Sequence, residues 1–130
     1  MVGAPEPEIV RRFYAAFGAG DLDTATDCFT EDAVWTLPGR SPISGEHHGR
    51  AAIRAVLSQL GPLSSGTFRA ELVDVAVGDG RLVAVQHATG EREGRRLDIT
   101  ACQLITIEDG RIARIQGHYS DQYALDEFWA

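Results

Sequence analysis

The sequence predicts an α+β fold in which helices come first and a four-stranded antiparallel meander follows. In the first half of the chain, apolar residues recur every four positions, at Ile9, Phe13 and Phe17, which is the spacing of one helix face. In the second half the period changes, and four segments are rich in Val, Ile, Leu and Thr: residues 68–77, 82–92, 97–107 and 111–120. Helices packed on one face of a curved sheet form this class of fold.

Glycines separate the first two predicted helices. The first helix ends at Gly18 and Gly20. Asp21 then offers its carboxylate to the free backbone amides of a second, shorter helix. The apolar stripe of that second helix consists of Leu22, Ala25 and Phe29.

A strand is predicted at residues 33–37, and a polar loop follows it from Pro38-Gly39 onward. The loop carries a cation, a carboxylate and two imidazoles: Arg40, Glu46, His47 and His48. A third helix is then predicted, which Gly61-Pro62 ends. Its apolar face consists of Ile53, Val56, Leu57 and Leu60.

Tight hairpins are expected between the four segments of the second half. Their connections favour positive φ angles: Asp79-Gly80, Glu93-Gly94 and Asp109-Gly110. A strongly curved sheet covered by helices leaves a hollow between the two layers, which is a natural place for a small ligand.

Size and charge exclude several classes of protein. The 130 residues fit one domain, 1–130, that needs no metal or disulfide to bury a core. A net charge of −7 argues against a nucleic-acid partner. We interpret Arg92, Arg95 and Arg96 as a solvated hairpin tip.

A cytoplasmic location is expected. No apolar run is long enough to cross a bilayer. The first ten residues lack the basic start and the apolar core of a secretory signal. Cys28 and Cys102 lie among apolar neighbours without metal-ligand spacing, so we expect buried thiols in a reducing compartment.

Alternation along the last two strands predicts which side chains face the hollow. The odd positions of residues 97–107 and 111–120 are the more apolar, and they are expected to point inward. Gln103 is then the one strongly polar residue on a face that also carries Tyr119. An unpaired buried amide costs about 1–3 kcal/mol. Gln103 is therefore either satisfied by neighbouring protein groups or directed at a ligand carbonyl or hydroxyl.

Several ionisable residues are open to two interpretations. His118 lies on the polar face and is expected to be exposed or at a subunit contact, while the side on which His87 lies is ambiguous. Asp121 is either a general base, which burial would have to activate, or a helix cap. The aromatic segment after Asp121 is expected to fold back as a lid or to dock on a partner subunit.

The chain resembles the SnoaL-like branch of the nuclear transport factor two superfamily, whose relatives include ketosteroid isomerases and polyketide cyclases. The stretches that carry the resemblance are FYAAFGAGDLDTATDCFTEDAVW, SG and HGRAAI around the polar loop, GDG, and DGRIARIQGHYSDQYALDEFW. The resemblance implies a cone-shaped α+β barrel, with a curved mainly antiparallel sheet packed against three N-terminal helices. It also implies an apolar pocket, a homodimer and no cofactor.

The isomerase chemistry does not carry over. Ketosteroid isomerases use an aspartate base and an oxyanion hole of a tyrosine and a protonated aspartate. The matching positions here are Leu37, Phe13 (with Tyr14 beside it) and Gln103. SnoaL-like cyclases carry an aspartate near the end of the last strand, where the ungapped match is Ser120 and its neighbour is Asp121.

Two functions are compatible with these residues. The first is a cofactor-free cyclase or isomerase acting on a polyketide-like or other apolar carbonyl compound, with Asp121 or His47 as the base. The second is a non-catalytic module that binds a small apolar molecule or dimerises. In either case the expected ligand-binding residues are Trp35, Arg40, Gln103, Tyr119, Tyr14 and Phe17; no metal is expected, nor any nucleic-acid or membrane partner. The alternative for Arg40 is a pairing with Glu46 or another acidic residue.

Overall fold

Four helices and six strands make up residues 7–130, the part of the chain that this computed structural model describes. The expectation about a secretory signal concerns mainly residues 1–6, which lie outside the described residues. In chain order the elements are α1 (Glu8–Gly18), α2 (Leu22–Asp27), β1 (Phe29–Leu37), β2 (Gly45–His48), α3 (Gly49–Leu63), β3 (Arg69–Val77), β4 (Arg81–Arg92), β5 (Arg95–Glu108), β6 (Arg111–Tyr119) and α4 (Gln122–Trp129).

The strands form one sheet in the order β2-β1-β6-β5-β4-β3. The meander from β3 to β6 is antiparallel throughout, as the sequence predicts. β1 pairs in parallel with β6, the last strand of this meander. β2 and β3 are the two edges, so within residues 7–130 the sheet is curved but not closed. The α+β prediction is confirmed.

The polar segment after β1 differs from the prediction. Residues 45–48 form β2, which pairs antiparallel with β1 and places His47 opposite Trp35. Glu46, His47 and His48 have no apolar alternation, so nothing in their side chains indicates a strand. The backbone of β1 supplies the pairing instead.

Two helix boundaries also differ. α2 ends at Asp27, and Phe29 begins β1 as a fully buried residue instead of completing the stripe of α2. α3 begins at Gly49 and includes Pro62 in its last turn. The Asp21 cap is confirmed: its carboxylate accepts hydrogen bonds from the backbone amide (3.1 Å) and the hydroxyl (2.6 Å) of Thr24. These bonds lower the pKa of the Asp21 carboxyl.

The predicted inward face of β5 is confirmed, because its odd positions from Leu97 to Ile105 are buried. On β6 a register shift after Thr106 of the neighbouring strand buries Ile112 instead of Ala113. His87 lies on the outer face of the sheet, where its Nε2 is 2.6 Å from Oδ1 of Asp98. This hydrogen bond holds the pKa of the Asp98 carboxyl below its usual range.

The C-terminal segment folds back on its own chain as α4. Phe128 and Trp129 are buried, whereas Tyr123 is 89% exposed. Arg92 fixes the end of this helix, because its guanidinium donates to the backbone carbonyls of Phe128 (3.3 Å) and Ala130 (2.7 Å). The interpretation of Arg92 as part of a solvated hairpin tip is therefore wrong.

The two cysteines occupy different environments. Cys28 is buried as expected, and burial raises the pKa of its thiol. Cys102 is exposed, contrary to expectation, because even positions of β5 point away from the core. In the described part of the chain, no helix has the length and apolar character needed to span a membrane.

Candidate functional site

A narrow cavity lies between the helices and the sheet. It encloses about 580 Å³ of space between atoms, part of it open to solvent. Every helix except α2 contributes to its wall, together with five of the six strands. The lining residues are Phe13, Tyr14, Phe17, Trp35, Leu37, Ile43, Val56, Leu57, Leu60, Phe68, Ala70, Gln86, Gln103, Ile115, Tyr119 and Trp129.

The cavity wall is uncharged. None of the residues from 7–130 that line it is an Asp, Glu, His or Arg. An ion entering this space would lose its hydration without gaining a counter-charge, which costs several kcal/mol or more. The wall therefore suits an uncharged molecule.

One polar pair on the wall joins α1 to the sheet. The Tyr14 hydroxyl donates a hydrogen bond to Oε1 of Gln86, which is 6% exposed. Burial, and secondly the neighbouring Tyr119, raise the pKa of the Tyr14 phenol far above its usual value. Tyr14 is therefore a neutral hydrogen-bonding group at any physiological pH.

Gln86 was not among the predicted binding residues, although the register of the β4–β5 hairpin predicts that its side chain faces the cavity. Residues that pair across two antiparallel strands point to the same side of the sheet. Arg92 pairs with Arg95 around the Glu93-Gly94 turn, and this register pairs Ala84 with Gln103. Even positions of β4 therefore share the inward face of Gln103, and Gln86 is one of them.

A second polar pair lies on β5 and β6. Nε2 of Gln103 donates to the Tyr119 hydroxyl over 3.3 Å, and Gln103 is only 4% exposed. Burial raises the pKa of the Tyr119 phenol, and the bond from Gln103 offsets part of that rise. Tyr119 keeps its own proton, for which the residues from 7 to 130 offer no acceptor in this structure.

Two further atoms on the wall lack partners. Oε1 of Gln103 and Nε1 of Trp35 are both buried, and neither has a hydrogen-bond partner within residues 7–130. Whichever way the Gln103 amide is turned, one of its ends stays unpaired. Buried unpaired polar atoms are costly in a folded protein, and a bound molecule would satisfy them.

The structure brings five of the predicted binding residues together on this wall: Tyr14, Phe17, Trp35, Gln103 and Tyr119. Arg40 is not on the wall; its side chain is exposed, and its backbone amide donates to Oδ1 of Asp126 over 3.0 Å. His47 is half-buried but bonds to the loop, with Nε2 2.8 Å from the carbonyl oxygen of Ile43. His47 thus holds the loop that carries Ile43 into the cavity.

Asp121 is the N-cap of α4. Its exposed carboxylate accepts a hydrogen bond from the amide of Ala124 over 3.0 Å, so the capping interpretation is confirmed. Neither Asp121 nor His47 lines the cavity, and the role of each as a base gains no support from this placement.

Comparison with known proteins agrees with this fold. A family model described as a SnoaL-like domain matches residues 10–115. The chain belongs to the SnoaL-like family. It is 36% identical to the uncharacterised protein Rv0034 of Mycobacterium tuberculosis over the whole length of both chains.

Solved structures extend the comparison. Bal32a, from a soil-derived mobile gene cassette, is 44% identical with a TM-score of 0.91, and the match covers 95% of each chain. A candidate polyketide cyclase of Sinorhizobium meliloti is 26% identical with a TM-score of 0.72, over 87% of this SnoaL-like chain and 95% of the other. The resemblance inferred from the sequence is therefore confirmed at the level of family and fold.

Proposed function

We propose that this SnoaL-like protein binds a small, uncharged, largely apolar molecule that carries a hydroxyl or carbonyl group. The observation that carries the proposal is the set of unpaired polar atoms on an otherwise apolar wall. Nε1 of Trp35 and the Tyr119 hydroxyl are donors for a carbonyl or hydroxyl oxygen, and Oε1 of Gln103 is an acceptor for a hydroxyl proton.

Tryptophan fluorescence is the direct test, because both tryptophans of the chain, Trp35 and Trp129, line the cavity. The probes are cyclohexanol, the isosteric hydrocarbon methylcyclohexane and the anion cyclohexanecarboxylate. We expect cyclohexanol to bind most tightly and the carboxylate not to bind. Equal affinities for the alcohol and the anion would contradict the proposal.

A second candidate is turnover of a carbonyl compound, as in cyclases and isomerases. It is supported by the Tyr119 and Trp35 donors, which are suited to an oxygen that gains negative charge, and by the similarity to the candidate polyketide cyclase of Sinorhizobium meliloti. The wall within residues 7–130 offers no carboxylate or imidazole base. Any proton that leaves the substrate must therefore pass to water or to another group of the substrate.

Deuterium exchange separates binding from turnover. The α-protons of cyclohexanone exchange with D₂O through an enol, and NMR follows the exchange. Acceleration by the wild type but not by Tyr119→Phe would support carbonyl activation. No acceleration by a wild type that binds the ketone would leave binding as the function.

We also propose that two copies associate through the outer face of the sheet. This face mixes apolar and polar side chains, among them the half-buried Val85 and Leu104 and the exposed Cys102 and His118. Such a mixture is closer to a subunit interface than to an ordinary wet surface.

A further inference from the structure

A second hollow lies outside the cavity, between the ends of α1 and α3 and the beginning of β3. We name it the outer groove. It encloses about 1150 Å³ of space between atoms, part of it open to solvent, compared with about 580 Å³ for the cavity. Four side chains line both spaces: Phe17, Leu57, Phe68 and Ala70. The two hollows are therefore adjacent, with these side chains between them.

Two aromatic rings form the main part of this partition. Phe17 and Phe68 meet edge to face, with ring centroids 6.4 Å apart and planes inclined by 70°. This separation is within the range of aromatic contact. Both side chains are only half-buried, in contrast to Phe13 and Trp129 deeper in the cavity. These two partly exposed rings are therefore the aromatic part of the wall that the cavity and the outer groove share.

Glycines keep the outer groove open. A Cβ atom built on Gly18, Gly20, Gly61 or Gly66 meets nothing within 4 Å. The groove wall is otherwise mainly apolar, and its charged residues in the described chain, Arg69 and Glu71, are both exposed. This surface suits a hydrocarbon chain and not an ionic group.

Leu37 and Ile43 line the cavity beside the loop that follows β1. There the loop after β1 is fastened to α4, because Nε2 of Gln122 donates to the carbonyl of Pro38 over 3.2 Å. Leu37 and Ile43 are buried beneath this junction. This bond holds α4 against the loop beside Leu37 and Ile43.

We propose that the cavity and the outer groove form one two-part binding site for an elongated molecule. Its uncharged ring lies in the cavity, and an apolar tail passes between Phe17 and Phe68 into the groove. This inference rests on the proposed function, since it assumes that the cavity holds the polar end of the ligand. The two-part site specifies the chemical class of the ligand: a ring that carries an alkyl chain at the position opposite its hydroxyl or carbonyl group.

A homologous series tests the two parts separately. The probes are cyclohexanol and its 4-methyl, 4-propyl, 4-butyl and 4-hexyl derivatives, measured by tryptophan fluorescence on the full chain. Each methylene that becomes buried is expected to raise the affinity about threefold to fourfold. In Gly61→Leu, a leucine side chain would fill the open groove, so the gain in affinity with chain length should disappear.

Ala55→Leu is the matched control, because Ala55 is an exposed residue of the same helix that lines neither hollow. It should keep the wild-type gain with chain length. Persistence of that gain in Gly61→Leu, or its absence in the wild type, would overturn the two-part site while leaving the proposed function intact. Failure of every alcohol to bind the wild type would overturn the proposed function and the two-part site together.

Discussion

The ring of Tyr119 lies against the backbone of Gly117, two residues before it on β6. A Cβ atom on Gly117 would lie 2.8 Å from Cε2 of Tyr119 and 3.1 Å from Oε1 of Gln103. Gly117 also pairs directly with Gln103 across the sheet. The absence of a side chain at this position thus lets the Tyr119 ring fold back toward the Gln103 amide.

Gly117→Ala should disturb both members of this pair. The added methyl group overlaps Tyr119 and Gln103, and overpacking of this kind costs about 1–3 kcal/mol. We expect a lower free energy of unfolding in urea and about tenfold weaker binding of cyclohexanol. Gly18→Ala is the control for stability, because its Cβ meets nothing within 4 Å and alanine favours a helix. A Gly117→Ala variant as stable as the wild type, with unchanged affinity, would show that the Tyr119 position does not depend on Gly117.

Two of the three tyrosines should resist ionisation in the folded protein. Of the three, Tyr123 is 89% exposed, whereas burial raises the pKa values of Tyr14 and Tyr119. An ultraviolet titration of phenolate should therefore show the ionisation of Tyr14 and Tyr119 only above the usual range or as the protein unfolds. Three phenolates appearing together near pH 10 in folded protein would contradict the buried positions.

The same shifts predict a loss of stability in alkali. A pKa that is higher in the folded state favours folding below the unfolded value of about 10, and this contribution is lost as the pH rises through the folded value. Each buried tyrosine then adds about 1.4 kcal/mol of lost stability per pH unit above pH 10. The chain has no lysine to titrate in this range. Tyr14→Phe should show a shallower slope than the wild type in urea unfolding at pH 9 to 11.

Asp121 should affect stability and not binding. Asparagine caps a helix about as well as aspartate, so Asp121→Asn should unfold like the wild type, whereas Asp121→Ala should lose about 1 kcal/mol. Both variants should bind cyclohexanol with wild-type affinity, because Asp121 does not line the cavity. A large loss of affinity or turnover in Asp121→Asn, with normal stability, would restore Asp121 as a base.

The outer face of the sheet should hold two copies together. Light scattering at micromolar concentration is expected to give twice the chain mass of 14.1 kDa. Leu104→Glu places a charge on this face and should shift the protein toward the monomer without altering its circular dichroism. A wild type that scatters as a monomer would contradict the proposed association.

Periodicity predicted the architecture well, because burial of one face leaves a regular trace in the sequence. The α1 stripe and the inward odd positions of β5 were both readable in this way. β2 has no such periodicity, because its Glu-His-His segment is a strand only through backbone pairing with β1. The register shift that buries Ile112 instead of Ala113 was equally invisible, because one extra residue changes no local propensity.

The site was predictable only in part. Gln103 and Tyr119 can be predicted from the sequence because they are polar residues among the apolar odd positions of their strands. The inward orientation of Gln86 can be predicted only from the pairing register of the Glu93-Gly94 hairpin. Trp129 and Phe68 reach the cavity through the packing of α4 and the turn before β3, which are long-range relationships. For Asp121, the position directly before a helix predicts a cap more strongly than the ionisable side chain predicts a base.

The most direct test of the account is the affinity of Gln103→Leu for cyclohexanol relative to methylcyclohexane. Leucine keeps much of the volume and removes both the unpaired Oε1 of Gln103 and the 3.3 Å hydrogen bond to the Tyr119 hydroxyl, so we expect the variant to stay folded. We predict that its affinity for the alcohol falls about threefold to tenfold, the usual scale of one hydrogen bond, while its affinity for the hydrocarbon is kept. An unchanged preference for the alcohol, or unfolding of the variant with normal affinity in the folded fraction, would show that Gln103 is a structural amide and would contradict the account.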